Sequence, residues 1–311
     1  LDVTLIEPKL KHQTIFERFD ALSHGEAFVI HNNHDPKPLY YQFIAERGKT
    51  FDWEYLEEGP TAWKVKISKI MANETQSTIG ELVAEDFRKA AVFKKFGLDF
   101  CCGGNKTLKE ACEKNGVIIT DVKTALAEVE KQPDATNLNF KSWELDFLAD
   151  YIENNHHRYV TESLPMLYEF SKKVAQVHGN HHPEVIKIAE LFNAIAKELT
   201  MHMRKEENIL FPYIKQLVDA KKNHTLMKSA PFGSIENPIR MMESEHVSAG
   251  GNMDEIHKLS NSFSPPEDAC STYKVLFAKL DEFEKDLHKH IHLENNILFP
   301  KAITLEKELL R

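Results

Sequence analysis

His202-Met203-Arg204-Lys205-Glu206-Glu207-Asn208-Ile209-Leu210-Phe211-Pro212 and His290-Ile291-His292-Leu293-Glu294-Asn295-Asn296-Ile297-Leu298-Phe299-Pro300 are two copies of one pattern, His-x-x-x-Glu-x-Asn-Ile-Leu-Phe-Pro. On a helix, residues i and i+4 share a face and stand ~5–6 Å apart at Cβ. A histidine and a glutamate so placed can aim at one metal ion. A lone pair of this kind is ordinarily a surface ion pair, but repetition in an identical apolar context favours an internal role. Two such helices crossing a bundle can supply four ligands, and the carboxylates can bridge two ions.

Outward from these copies, the chain beyond residue 141 is helix-periodic with few breakers. Helices are expected at 142–177, 184–221, 236–260 and 268–308, with kinks at Pro165, Pro212 and Pro300. Four long amphipathic helices with short links form an antiparallel bundle. The first carries His156-His157 and the third Glu243-Ser244-Glu245-His246. His157 precedes His202 by 45 residues and His246 precedes His290 by 44, so the chain reads as two similar helix pairs. This spacing favours His157 over His156. The candidate ligands are therefore His157, His202, Glu206, His246, His290 and Glu294. The Ile-Leu-Phe-Pro runs read as core packing. His178, His181 and His182 read as loop-end residues, and His288 and His292 as solvent-facing or supporting. Imidazole and carboxylate without thiolate suit iron, manganese or zinc. Structural zinc would favour cysteine, and a paired, carboxylate-bridged site favours two non-haem iron ions.

Upstream, residues 1–70 read as a small βαβαββ domain. Its expected strands are Val3–Ile6, Ala27–Ile30, Phe51–Tyr55 and Ala62–Ile67, and its helices Thr14–Leu22 and Pro38–Arg47, with breakers at Gly48 and Glu58-Gly59-Pro60. Residues 73–132 read as a small helical domain. Thr78 and Glu81 form a capping box, a stripe from Leu82 through Phe87, Ala90, Ala91 and Phe93 continues one helix, and Gly97 stops it. Shorter helices are expected near 108–114 and 121–131, then a linker at 132–137. The fold class is multi-domain α+β, with the bundle at 141–311.

The 311 residues carry a net charge of −9, which argues against general nucleic-acid binding. No apolar run approaches the ~18–20 residues that span a bilayer, and no basic-then-apolar leader opens the chain. Four cysteines, Cys101, Cys102, Cys112 and Cys270, suit a reducing compartment such as the cytoplasm rather than a disulfide framework. Adjacent Cys101-Cys102 before Gly103-Gly104 reads as a thiol pair on a flexible glycine turn, able to bind a soft metal, take up a nitrosyl or react with an oxidant. Its bland reading is one small buried side chain. Cys112 and Cys270 read as structural.

The stretch Thr78-Ile79-Gly80-Glu81-Leu82-Val83, then Phe96-Gly97-Leu98-Asp99-Phe100-Cys101-Cys102-Gly103-Gly104, with Thr107-Leu108 and Ala111-Cys112, resembles the N-terminal domain of the repair-of-iron-centres proteins of ScdA type. The bundle is similar to that family's hemerythrin-like domain. The resemblance covers about 77–308 and implies a di-iron protein that restores iron–sulfur clusters after nitrosative or oxidative damage by donating iron. It places the ligands on the six residues above and the reactive pair on Cys101 and Cys102. It also implies iron–sulfur proteins as clients, nitric oxide or oxygen as small ligands, and a homodimer as one assembly. Nitric oxide reduction and oxygen or iron sensing are the rival roles. Residues 1–70 depart from that plan and resemble a small TusA-like fold, in which His34 reads as a turn residue more than a ligand and His12 as a second candidate.

Overall fold

The computed structural model describes residues 1–7, 10–23, 26–47, 50–60, 62–69, 77–130, 138–225, 227 and 230–310. The breaker at Gly48 and the linker at 132–137 lie outside them. The chain divides into two compact units, Leu1–Ser77 and Thr78–Arg311.

In the first unit, α1 (Lys11–Asp20) and α2 (Lys37–Arg47) accompany β1 (Ala27–Asn32), β2 (Phe51–Glu58) and β3 (Trp63–Lys69). The sheet is antiparallel with β3 in the middle. Val65 and Ile67 alternate inward from β3 and pack with Phe16, Phe19, Phe43 and Phe51. The strand expected at Val3–Ile6 is instead a 3₁₀ turn, Val3–Leu5. Asp2 Oδ1 accepts the Thr4 amide at 2.9 Å and the Thr4 hydroxyl at 2.6 Å, and this local capping outcompetes further pairing. Asp2 forms a single parallel bridge with His31, and Leu1 O accepts the His31 amide at 2.9 Å. His34 bonds Asn33 and Asn32 in the link to α2, and His12 bonds Gln42.

The second unit opens with α3 (Ile79–Glu85), α4 (Lys89–Lys95), α5 (Leu108–Asn115) and α6 (Ile119–Glu130). The stripe read as one helix is two. Asp86, the C-cap of α3, has an extended backbone that ends that helix, and its carboxylate accepts the Arg88 amide and guanidinium in the turn before α4. The Thr78–Glu81 capping box forms, a second one joins Thr107 and Glu110, and Gly97 (φ +67°) ends α4.

The bundle helices are α7 (residues 145–178), α8 (184–223), α9 (Glu236–Leu259) and α10 (271–309). Three of them contain π-helical turns, at Ile152–His157, Glu206–Leu210 and Glu294–Leu298. Two π turns end two residues before Pro212 and Pro300. A proline lacks the amide that the carbonyl one turn back requires. Just before each of these prolines the turn is wider, with Phe211 and Phe299 donating to Glu206 O and Glu294 O, five residues back. Asn154, Asn155 and Asn208 side chains donate to the carbonyls of Asp150, Tyr151 and Arg204, covering carbonyls beside the irregular turns. Pro165 lies within regular α-helix, Arg158–His178, with no π turn at its position.

The bundle interior has two apolar cores. One holds Leu167, Phe192, Met253 and Phe283, and the other Leu148, Ile214, Ile239 and Ala302. Between them, in sequence along all four helices, lie the buried polar residues His157, His202, Glu206, His246, His290 and Glu294. A polar layer inside an apolar bundle is destabilising unless its groups are partnered.

Candidate metal centre

Every one of the six sequence-predicted ligands points into this layer, and none is more than 2 % exposed. They form two sets of four. In each, one ligand atom per residue lies within 4.8 Å of the others: His157, Glu206, His290 and Glu294, and then His202, Glu206, His246 and Glu294. Both carboxylates belong to both sets. Glu206 Oε2 stands 3.4 Å from His157 Nε2 and 3.2 Å from His202 Nε2. Glu294 Oε1 stands 2.9 Å from His290 Nε2, and Oε2 3.1 Å from His246 Nε2. His156 belongs to neither set; its Nδ1 donates to Asp286 at 2.8 Å.

The partners behind the histidines decide what the layer accepts. His157 Nδ1 donates to Glu207 at 2.8 Å, His202 Nδ1 to Glu245 at 2.9 Å and His246 Nδ1 to Asn295 Oδ1 at 2.8 Å. A carboxylate or amide oxygen can only accept, so each bond fixes a proton on Nδ1 and leaves Nε2 facing inward, to carry a proton or to bind a metal. His202 Nε2 and His246 Nε2 then confront one another at 3.0 Å. Two lone pairs at that distance repel unless a proton or a cation lies among them. The two oxygens of Glu206 and Oε2 of Glu294 are buried without hydrogen-bond partners. This donor set fits metal ions, with the outer partners orienting the imidazoles as metal sites require.

The electrostatics agree. Burial lowers the His157 pKa, but Glu206 and Glu294 outweigh it and bring it to about 10. The same contest brings His202 to about 9. Burial raises Glu294, yet His290, His157 and His246 hold it well below the usual carboxylate range. Two carboxylates thus keep positive charge in the layer, as protons when no metal is present.

Iron-sulfur cluster repair protein YtfE of Musicola paradisiaca (strain Ech703) is 36 % identical over 229 residues, covering 73 % of this chain and 96 % of that protein. The protein of the same name from Pectobacterium atrosepticum is 38 % identical over 236 residues, covering 75 % and 99 %. That from Yersinia pseudotuberculosis serotype O:1b is 34 % identical over 226 residues, covering 73 % and 96 %. The chain belongs to the YtfE family of iron–sulfur cluster repair proteins. Three family models match along it: Uncharacterized conserved protein (DUF2249) at 1–69, Domain of Unknown function (DUF542) at 75–130, and Hemerythrin HHE cation binding domain at 148–302.

The thiol loop of this family member docks on the second ligand repeat. Asn296 Nδ2 donates to Cys101 O at 3.2 Å and to Phe100 O at 3.3 Å, and Asn295 Nδ2 to Cys101 O at 3.4 Å. Asn295 therefore joins the Cys101 backbone to the His246 ring. The first repeat has Glu207 at the equivalent place, a group that only accepts. An amide can accept from a histidine and donate to a carbonyl at once, which a carboxylate cannot, and this accounts for the difference between the repeats. The loop glycines serve packing rather than flexibility. A Cβ on Gly80 or Gly104 would collide with the Asn296 side chain. Gly80→Ala is expected to cost about 1–3 kcal/mol through overpacking, read as an earlier urea midpoint; an unchanged midpoint would refute this account of the docking.

Cys101 is buried and Cys102 half-buried, both as free thiols. Cys112 is buried in the core, whereas Cys270, expected to be structural, is exposed. His292 is not solvent-facing. It is 1 % exposed against Phe87 and Phe100, burial takes its pKa to about 3, and Asn296 bonds its Nδ1. The docked loop covers it, an effect helix spacing does not reveal. His182 bonds Asp268 at 3.0 Å, tying the α7–α8 connection to the α9–α10 one. What spacing missed were Glu207, Glu245 and Asn295. Each directly follows or precedes a ligand, a position where outer partners of metal histidines can be sought.

Proposed function

We propose that this chain holds two iron ions in the six-residue layer and donates iron to damaged iron–sulfur clusters. The observation that carries the reading is the pair of four-ligand sets sharing Glu206 and Glu294. Two carboxylates common to two sets of imidazoles match a bridged pair of ions. Bound iron supplies Lewis-acid and redox chemistry there. The residues supply retention, with four neutral imidazoles and only two carboxylates, a weaker anionic grip than an all-carboxylate site. A cleft of about 310 Å³ has His157 among its lining residues together with Glu153, Glu207 and the Arg158–Glu162 ion pair, which leaves the charged lining acidic on balance. Acidic walls concentrate cations at such a mouth, which suits exchange of iron with solvent and clients. The relatives named as iron–sulfur cluster repair proteins support the same role. Cys101 and Cys102 are the proposed reactive pair, with nitric oxide or oxygen as the small ligands.

Among the described residues no helix is long and apolar enough to cross a membrane. The decisive assay incubates iron-loaded protein with a cluster enzyme inactivated by nitric oxide. Activity should return, and the His202→Ala/His290→Ala double variant should return none. Nitrous oxide released with turnover when an electron donor is added would favour the reductase reading instead.

A further inference from the structure

A second cleft, of about 720 Å³, lies above the thiol loop. Its walls include Asp99, Cys101 and Cys102 from the loop and Gly250, Gly251 and Asp254 from α9, and Lys94, Lys106 and Lys258 also line it, Lys94 being paired with Glu284. Asp99, Cys101 and Cys102 each offer a ligand atom within 4.8 Å of the others. Asp99 Oδ1 accepts the Cys101 thiol at 3.3 Å and the amides of Cys101 and Cys102 at 3.1 and 3.0 Å, so the loop is held with both sulfurs beside the carboxylate.

The opposite wall supplies an independent observation. Gly250 and Gly251 sit inside α9, where each glycine costs ~1 kcal/mol relative to alanine. Neither has the left-handed backbone that would require glycine. A Cβ at Gly250 would only touch Cys102 Sγ at 3.5 Å, and one at Gly251 would meet nothing. The helix packing does not demand this pair. Its effect is to leave bare backbone opposite the sulfurs, keeping space for a ligand the protein does not itself provide.

We propose that Asp99, Cys101 and Cys102 form a separate site for one thiophilic divalent cation, open to the cleft on its remaining side. Binding transfers both thiol protons to water and forms two metal–sulfur bonds and one metal–oxygen bond, with no change of oxidation state. Without a cation, Cys102, burial and Asp99 together push the Cys101 thiol well above its usual range. Three protein ligands leave a coordination position free, the arrangement of an exchange site rather than a structural one. Asn295 connects this loop to His246, so the site adjoins the six-residue layer. Its role as a relay for iron rests on the donor reading above, whereas its occupancy by metal does not.

The test uses the full chain, anaerobically reduced and already loaded with iron, titrated with Cd(II). One further equivalent should bind, with a thiolate-to-metal charge-transfer band in the ultraviolet and protection of Cys102 from alkylation. Asp99→Asn should weaken that binding at least tenfold. Cys101→Ser/Cys102→Ser should abolish the band while retaining its iron. A native chain showing neither band nor protection overturns the proposal, whatever becomes of the variants. A band unchanged in the double serine variant overturns it as well. Cadmium binding at the thiols with failed cluster restoration would remove the donor role and leave this site standing.

Discussion

Glu294→Ala is expected to purify with almost no iron, whereas His157→Ala should lose roughly half. The shared carboxylate is the reason. Glu294 belongs to both four-ligand sets and His157 to one. Removing Glu294 takes one of only two carboxylates from both sets and leaves His246 and His290 without their nearest oxygen. Loss of an outer partner such as Glu245 ordinarily costs about 10–100-fold in metal affinity, so loss of a direct ligand common to two ions should exceed that. Iron analysis beside circular dichroism separates metal loss from unfolding. If the alanine variant of Glu294 keeps a full complement of iron while folded, the bridged arrangement is wrong.

Metal uptake near neutral pH should release about two protons, those of His157 and His202. Their pKa values of about 10 and 9 in the metal-free protein mean both imidazoles are charged at pH 7, and a ligating histidine must be neutral. Apparent affinity should therefore climb by ~100-fold per pH unit for two displaced protons, then flatten above pH 9 to 10. Stability moves the opposite way in the metal-free form. A raised histidine pKa contributes stability fully below the ordinary value of 6.5, and that contribution is lost as pH rises through the folded value. The thermal midpoint of metal-free protein should thus fall from pH 7 to 10, and that of the loaded protein should not follow it. Calorimetry in buffers of different ionisation enthalpy counts the protons. A result near zero would mean that the layer does not exchange protons for metal.

The bundle, its four helices and the six candidate ligands were readable from one dimension because each rests on local periodicity. An i, i+4 pair is a statement about a single helix, and the repetition of His-x-x-x-Glu-x-Asn-Ile-Leu-Phe-Pro needs only counting. The same holds for the Thr78 capping box and the Gly97 stop. Features that require two distant segments to meet were not readable. Helix spacing left His292 either solvent-facing or supporting, because nothing local announces that Phe87, Phe100 and the cysteine loop will cover it. The prolines announced an irregularity but not its kind; the π turns that bear Glu206 and Glu294 follow from where the displaced carbonyls find donors. The Nδ1 protons on His157, His202 and His246, and so the inward-facing Nε2 atoms, depend on Glu207, Glu245 and Asn295 reaching across from other helices. Local spacing selects the ligand types, but which nitrogen is free to bind a cation is set by partners tens of residues away, and only packing brings those into reach.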